Sequence, residues 1–195
     1  MGSHAPPLLV RTLVLAALLG PVGTAPPPLA AQSGPSPVLD ALLFVYRDVR
    51  SNILEAARRV PEADYAFRPS PDVRSFGELI AHVADTQYFF CSSGRDEANP
   101  NEPDHRAGVV TAESLEARLR GKGEIVAAAE AAFAYCDPLY ERASDRDIAR
   151  PMTLAMAGRP RVRALLLGIY HMARHYGNMV TYMRELGHVP PSSGP

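Results

Sequence analysis

Two histidines near the carboxyl end of the chain have the spacing by which a helix binds a metal ion. His171 and His175 are four residues apart, so both imidazoles would lie on one face of a helix, one turn apart. Pairs with this spacing also occur by chance on exposed faces. The pair therefore predicts a metal site only if the fold brings a third donor to it.

His82 is the candidate for that third donor. Its neighbours on a helical face are mostly apolar: Leu79, Ile80, Val83 and Thr86. A single histidine there would be explained as a hydrogen-bonded core residue. Three inward-facing imidazoles, however, would each need a partner in an apolar interior, and one divalent cation satisfies all three lone pairs. We therefore predict that His82, His171 and His175 hold one divalent transition metal, with an open position for water or substrate.

Carboxylates on either side of His82 are candidates for orienting its ring. Asp85 lies about one turn after His82, where it could act as an outer partner of the ring or as an acid or base. Glu78 lies one turn before His82, but residues 75–78 match a capping box. Capping is the role that we predict for Glu78.

The remaining polar candidates are assigned by their position along the chain. Asn178 and Tyr182 continue the helical face of His175, and they are predicted to line a pocket beside the metal. His105 lies in a polar segment rich in helix breakers, and His188 follows the last predicted helix. Neither of these two histidines is predicted to bind the metal.

Amphipathic patterns predict four long helices that would present these residues. The predicted helices run from Pro37 to about Arg59, from Phe76 to about Cys91, from a cap at Thr111 to near Pro138, and from Pro160 to about Leu186. Long connections join them, above all between the second and third helices. The pattern predicts an all-α protein with a four-helix bundle, in which facing helices build metal sites.

The two cysteines, Cys91 and Cys136, are too few for a disulfide scaffold or a cysteine-based zinc site. Each is predicted at the end of a helix. The link between the second and third helices, about twenty residues long, is long enough to let those helices run parallel, which would bring both cysteines to one end of the bundle. The sequence leaves two alternatives open, a disulfide or two buried free thiols.

The composition disfavours strongly charged partners. The formal net charge is -1 and basic and acidic residues are interspersed, so no field exists to attract nucleic acid or anionic lipid. Hydrophobic residues make up 47% of the chain but aromatic residues only 7%, with no Trp, which favours helix packing over sheet packing.

The first 31 residues have the pattern of a secretory signal. Arg11 precedes an apolar run over residues 13–20, and a proline-rich stretch then ends at Ala31, so cleavage is predicted near Ala31. The run is about half of the roughly twenty residues that a membrane-spanning helix needs, so no stable membrane anchor is predicted. The expected mature protein is periplasmic or extracellular, with one domain over residues 36–191.

Two stretches of the sequence resemble one known family. The first leads through a proline-containing turn into the helix of His82, and it reads Arg68-Pro69-Ser70-Pro71, then Arg74-Ser75-Phe76-Gly77-Glu78-Leu79-Ile80-Ala81-His82-Val83-Ala84. The second reads His171-Met172-Ala173-Arg174-His175-Tyr176-Gly177-Asn178, followed by Tyr182-Met183-Arg184, Gly187 and Pro190-Pro191. Both are similar to the corresponding parts of DinB-like metalloproteins (the damage-inducible, DinB/YfiT type).

The resemblance covers about residues 36–191 and implies a four-helix bundle with long crossover connections, in an up-down-down-up arrangement. It also implies a metal site at His82, His171 and His175, with a metal that varies across the family among nickel, zinc, iron and manganese. Members with assigned reactions resemble metal-dependent thiol transferases or hydrolases of small molecules. Tyr176 and Asn178 depart from the family, which often has Arg and Gln at these positions.

Three functions are compatible with the sequence. The first is a metal-dependent transferase or hydrolase acting on a small molecule, because three protein ligands leave a coordination position open. The second is a non-catalytic exported protein that binds metal or a small ligand in the same pocket. The third is a structural bundle with core histidines, in which an exposed helix face could join two copies as a homodimer.

Overall fold

The computed structural model describes residues 1–2, 36–101, 112 and 114–194. The predicted export signal with its cleavage near Ala31, the predicted cap Thr111, and His105 therefore lie outside the described residues. Six α-helices are described: α1 (Pro37–Arg59), α2 (Phe76–Arg95), α3 (Leu115–Arg118), α4 (Lys122–Glu141), α5 (Asp145–Ala149) and α6 (Val162–Glu185). Apart from one isolated bridge between Pro151 and Pro160, the described part of the chain contains no β-structure, as predicted.

The four long helices, α1, α2, α4 and α6, pack as a bundle. α1 and α2 each pack mainly against α4 and α6, so α1 and α2 occupy opposite corners. α1 shows why the sequence folds this way. Its buried residues recur at spacings of three and four: Leu39, Leu42, Tyr46, Val49 and Ile53. This apolar stripe faces the core, and the predicted four-helix bundle is confirmed.

Hydrogen bonds between α1 and α4 show that the two helices run antiparallel. Tyr46, in the first half of α1, donates to Asp137 near the end of α4 at 2.8 Å. Lys122, the first residue of α4, donates to the carbonyl of Val60 just after α1, also at 2.8 Å. The beginning of each helix therefore lies beside the end of the other.

α2 and α6 also run antiparallel. Gln87, in the second half of α2, donates to the carbonyl of Gly168 near the start of α6 at 3.3 Å. Tyr182, near the end of α6, donates to the carbonyl of Arg74 just before α2 at 3.1 Å. This pairing brings the middle of α2 beside the middle of α6, where the three predicted ligands lie.

A disulfide joins Cys91 of α2 to Cys136 of α4, with Cα atoms 5.4 Å apart. The two helices also approach at their beginnings, where a Cβ on Gly77 would lie 3.1 Å from Ile125 Cδ1. α2 and α4 are therefore parallel, and the bundle has the up-down-down-up arrangement. Of the two alternatives that the sequence left open for the cysteines, the structure contains the disulfide.

Two helix boundaries differ from the sequence prediction. α2 continues past Cys91 to Arg95, because the hydroxyls of Ser92 and Ser93 both donate to the carbonyl of Phe89 and make these residues compatible with a buried helical turn. A left-handed Asp96 then ends the helix.

The predicted third helix is instead divided into α3 and α4. Leu119 is extended and Gly121 occupies the N-cap position of α4, so the chain is not helical between them. At its other end α4 continues through Pro138. The last turn is held by Tyr140, which stacks on Tyr46 with ring centroids 3.8 Å apart and donates to the carbonyl of Leu165 at 2.9 Å. The free energy gained from these tertiary contacts outweighs the cost of the backbone hydrogen bond that proline cannot make.

Within the described parts of the chain, none of the helices combines the length and the apolar character that crossing a membrane requires.

Gly168 is a close-packed point between α6 and its neighbours, and its replacement by alanine should destabilise the protein. The added Cβ would lie 2.9 Å from Tyr140 Oη and 3.3 Å from Phe90 Cβ. Overpacking costs about 1–3 kcal/mol, and the better helix propensity of alanine returns about 1 kcal/mol. We expect the free energy of unfolding, measured with urea, to fall by up to about 2 kcal/mol.

Gly177 in the same helix is the matched control. A Cβ there meets nothing within 4 Å, so Gly177→Ala should raise the free energy of unfolding by about 0.5–1 kcal/mol. Changes of the same sign and size in both variants would contradict the close approach at Gly168.

Candidate metal centre

The three predicted histidines converge in the structure. His82 comes from α2, His171 and His175 from the facing side of α6, and one ring nitrogen of each lies within 4.8 Å of the others. His82 and His175 are both 6% exposed, and His171 is partly buried. The three ring centroids are separated by 4.5–5.0 Å. The histidines therefore form one cluster inside the bundle.

The hydrogen bonds of His82 leave its inner nitrogen available. Its Nδ1 lies 3.1 Å from Glu116 Oε2, and an ionised carboxylate can only accept, so Nδ1 carries a proton. In the neutral ring the lone pair is then on Nε2. That atom lies 3.2 Å from Nε2 of His171.

The hydrogen-bond partner of His171 indicates the tautomer of its ring in the same way. Thr86 Oγ1 lies 3.0 Å from the carbonyls of His82 and Val83 and 3.0 Å from His171 Nδ1. Its one hydrogen is donated to a carbonyl, so the hydroxyl accepts from Nδ1 of His171. With this assignment the lone pair of His171 is on Nε2, 3.2 Å from Nε2 of His82.

The electrostatics keep His171 and His175 neutral. Burial, followed by the neighbouring histidines, lowers the pKa of His171 to about 3. Burial and then the proximity of His82 lower the pKa of His175 to about 4. Neutral imidazoles offer their lone pairs to a metal ion, so the lowered pKa values of His171 and His175 favour metal binding near neutral pH.

His175 has no other partner for its ring. Both of its ring nitrogens are buried and lack a hydrogen-bond partner among the described residues. A buried polar atom without a partner costs free energy, and native structures contain few of them. A metal ion would provide the partner that at least one of these nitrogens lacks.

The donor set and its spacing fit a transition metal. Imidazole is a good ligand for zinc, copper, iron and nickel. With metal–nitrogen bonds near 2.0–2.1 Å, ligands in a tetrahedral site are about 3.3 Å apart. The separation of 3.2 Å between the Nε2 atoms of His82 and His171 is close to that value.

Comparison with known proteins agrees with the fold. Residues 46–179 match the model of the DinB superfamily, which is more than half of the chain. The protein belongs to the DinB superfamily. It is 27% identical over 135 residues to the uncharacterized protein YjoA of Bacillus subtilis (strain 168), an alignment that covers 69% of this chain and 81% of YjoA.

Two solved structures share the fold of this DinB-superfamily chain. A conserved protein from Enterococcus faecalis is 14% identical, with a TM-score of 0.59 over 75% of this chain and 95% of the other. Mycothiol-dependent maleylpyruvate isomerase is 17% identical, with a TM-score of 0.55 over 72% of this chain. The match spans only 60% of the isomerase.

Glu116 is the functional residue that the sequence did not reveal. It lies on the four-residue helix α3, and Arg74 binds it through two hydrogen bonds of 2.6 and 3.1 Å. Burial alone would raise the pKa of Glu116, but the hydrogen bonds from His82 and Arg74 and the charge of Arg74 outweigh it and bring the pKa to about 2. The carboxylate is therefore ionised and fixed where it orients His82.

Asp85 influences the histidine cluster indirectly, through the short helix α3. It is 2% exposed, its Oδ2 accepts from the backbone N–H of Leu115 at 2.7 Å, and its Oδ1 accepts from Asn101 at 2.6 Å. Leu115 begins α3, so Asp85 holds the short helix that carries Glu116. The sequence left Asp85 open as an orienting partner of the His82 ring or as an acid or base. The carboxylate in contact with His82 Nδ1 is instead that of Glu116.

Glu78 has the capping role that the sequence predicted. Its carboxylate accepts from the backbone N–H of Ser75 at 2.7 Å, and the Ser75 hydroxyl accepts from the N–H of Glu78 at 3.3 Å. The capping box fixes the start of α2, and thereby the position of His82 two turns along it.

A cleft of about 770 Å³ opens beside the cluster. His175 and Glu116 lie in its wall, together with Asn178 and Tyr182, and Arg68 lines it from the loop before α2. The sequence predicted Asn178 and Tyr182 as pocket residues, and both line this cleft. A small molecule in it would lie next to the histidine cluster.

Removing the Glu116 carboxylate should weaken metal binding without unfolding the bundle. Loss of an outer-shell partner of a ligating histidine typically lowers metal affinity by roughly 10–100-fold, and we expect this loss for Glu116→Ala in competition titrations with a chelator. Glu124→Ala, an exposed carboxylate on α4, is the matched control and should bind metal as the unmodified chain does. Equal affinities in the two variants would show that Glu116 does not orient a ligand.

Proposed function

We propose that His82, His171 and His175 hold one divalent transition metal, and that the protein uses it in a metal-dependent transfer or hydrolysis reaction on a small molecule. The observation that carries this proposal is the pair of Nε2 atoms of His82 and His171, 3.2 Å apart. The Nδ1 atoms of the same two rings contact Glu116 and Thr86. With the ring protons assigned to Nδ1, the lone pairs of both Nε2 atoms are available to one cation.

The metal is one of zinc, nickel, iron or manganese. When bound, such an ion supplies a Lewis acid that activates water or a thiol, or polarises a carbonyl, at the position that three protein ligands leave open. The chain's own residues prepare the site. Glu116 and Thr86 fix the tautomers and orientations of His82 and His171, and burial keeps His171 and His175 unprotonated.

The cleft defines the kind of substrate. Its wall is polar near His175, where the side chains of Arg68 and Asn178 carry donors. Tyr182 already donates to the carbonyl of Arg74, and Arg68 contacts Glu78 at 3.1 Å. A small polar molecule with an ester, amide or activated carbonyl group fits this lining.

A thiol is a possible second reactant. The isomerase that shares this fold is mycothiol-dependent, which supports testing low-molecular-weight thiols as acceptors. The export signal that we infer from residues 1–31 would place the mature chain in the periplasm or outside the cell, where such thiols are scarce. Export therefore favours hydrolysis over thiol transfer.

The association of two copies in a homodimer stays a prediction.

A turnover screen tests the proposal. The mature chain, without a His-tag, is loaded separately with each of the four metals and offered esters, amides and thiol acceptors, with the metal-free protein beside it. We expect turnover of one substrate class that needs the metal and is lost in His171→Ala. Tight metal retention without turnover of any substrate would instead support the non-catalytic binding protein, and failure to bind any metal would support the structural bundle.

A further inference from the structure

A second cavity lies where α2 and α4 end and α6 begins. Its volume is about 280 Å³. Arg95, the last residue of α2, lines it, and Arg161 lines it from the position before α6. Thirteen residues separate His82 from Arg95 along α2, which corresponds to about 20 Å of helix. The cavity is therefore distinct from the histidine cluster.

The lining of this cavity combines positive charge with an apolar floor. Three arginines line it, Arg95, Arg142 and Arg161, against one carboxylate, that of Asp147. Three positive charges less one negative charge give the lining a formal charge of +2. Asp147 accepts a hydrogen bond from the Ser144 hydroxyl at 2.5 Å. The remaining floor is apolar and consists of Pro138, Leu139, Ala143, Ile148 and Leu165.

Helix dipoles explain only part of this charge. Arg95 ends α2 and Arg142 follows the last residue of α4, where a cation interacts favourably with the negative end of a helix. Arg161 has the opposite position, at the N-cap of the 24-residue helix α6. A cation beside the positive end of a long helix is unfavourable, and an anion in the cavity would offset this repulsion.

The arginines also have unused donors. The Nε atoms of Arg95 and Arg161 are buried and have no hydrogen-bond partner among the described residues. Arg95 uses its Nη2 to donate to the carbonyl of Tyr135 at 2.5 Å. Two carboxylates outside the lining offset part of its charge: Asp96 interacts electrostatically with Arg161, and Glu97 Oε1 lies 3.8 Å from Arg95 Nη1. The Asp96 carboxylate also accepts hydrogen bonds from Thr153 and Leu154. An oxyanion in the cavity would accept hydrogen bonds from the guanidinium groups that line it.

We propose that this cavity is a second binding site, for a small organic carboxylate. Its carboxylate group would lie among Arg95, Arg142 and Arg161, since guanidinium groups match the two oxygens of a carboxylate. Its apolar part would contact Leu139 and Leu165. The apolar floor favours a carboxylate with a short hydrocarbon chain over inorganic phosphate, which has no apolar part to bury.

Calorimetric titration of the mature chain with hexanoate tests this site. We expect saturable binding with a stoichiometry of about one, and binding at least roughly tenfold weaker in Arg161→Gln, because a charge-assisted hydrogen bond is lost. Arg142→Gln, an exposed position whose replacement leaves the core untouched, should weaken binding in the same direction. Arg163→Gln, an exposed arginine on the first turn of α6 that does not line the cavity, is the matched control and should bind normally.

Three further outcomes decide the proposal. His171→Ala should bind hexanoate as the unmodified chain does, which separates this site from the metal site. Inorganic phosphate should bind more weakly than hexanoate, and tighter phosphate binding would overturn the assignment to carboxylates. Absence of saturable hexanoate binding, or equal affinities in Arg161→Gln and Arg163→Gln with both variants folded, would overturn the site itself.

Discussion

Replacing His175 with alanine should remove the metal from the protein. Changing only an outer partner of a ligand typically costs roughly 10–100-fold in metal affinity, so loss of one of three imidazoles should lower the affinity by more than about 100-fold. Elemental analysis of the mature chain, purified without a His-tag, should find about one equivalent of a transition metal. His175→Ala should contain almost none.

The same substitution should have a different effect on stability with and without metal. A metal held at about 100 times its dissociation constant adds about 2.7 kcal/mol to the free energy of unfolding, and His175→Ala should lose this contribution. In the metal-free protein the substitution removes two buried nitrogens that lack partners, which offsets part of the cost of the cavity that it leaves. A chelator should therefore lower the melting temperature of the unmodified chain but not that of the variant.

His188→Ala is the matched control for this experiment. His188 lies outside the cluster and its Nε2 is 2.7 Å from Asp64 Oδ2. The variant should retain the metal and the response to chelator. Retention of a full equivalent of metal in His175→Ala, or its loss in His188→Ala, would show that the wrong histidines have been assigned.

The parts of the site that could be predicted from sequence are those set by local periodicity. His171 and His175 had to share a face once α6 was a helix, and the capping box at residues 75–78 fixed where α2 begins and thus which way His82 faces. α2 and α6 then had to be neighbours for the three rings to meet. That step rested on the resemblance to a family, because periodicity does not determine which helices are adjacent.

Glu116 shows why the rest could not be predicted. Leu115 and Leu119 fitted the apolar face of a long third helix, which left Glu116 on its exposed side. The chain is instead extended at Leu119, and the hydrogen bond from Leu115 to Asp85, 30 residues earlier, turns the short helix α3 toward α2. A contact over that distance leaves no pattern in the local sequence. A carboxylate next to a buried histidine is recognisable only in three dimensions.

The disulfide gives the second large effect, because it links two helices that are far apart in the sequence. Cys91 and Cys136 are separated by 45 residues, and closing a loop of that length in the unfolded chain corresponds to about 4 kcal/mol of stabilisation. The double variant Cys91→Ala, Cys136→Ala should therefore lose about 4 kcal/mol in the free energy of urea unfolding, compared with oxidised protein. Both cysteines have 0% exposure, so lost packing in the variant adds to this loss.

The unmodified chain unfolded in the presence of a reductant separates these two contributions, because it loses the cross-link but keeps both sulfur atoms in the core. We expect the reduced chain to account for most of the difference, since the cross-link acts mainly on the unfolded state. Alkylation of denatured, unreduced protein followed by mass spectrometry provides the direct check. Two alkylated cysteines in protein from an oxidising compartment would show that the bond does not form, and the reduced and unreduced chains would then unfold at the same urea concentration.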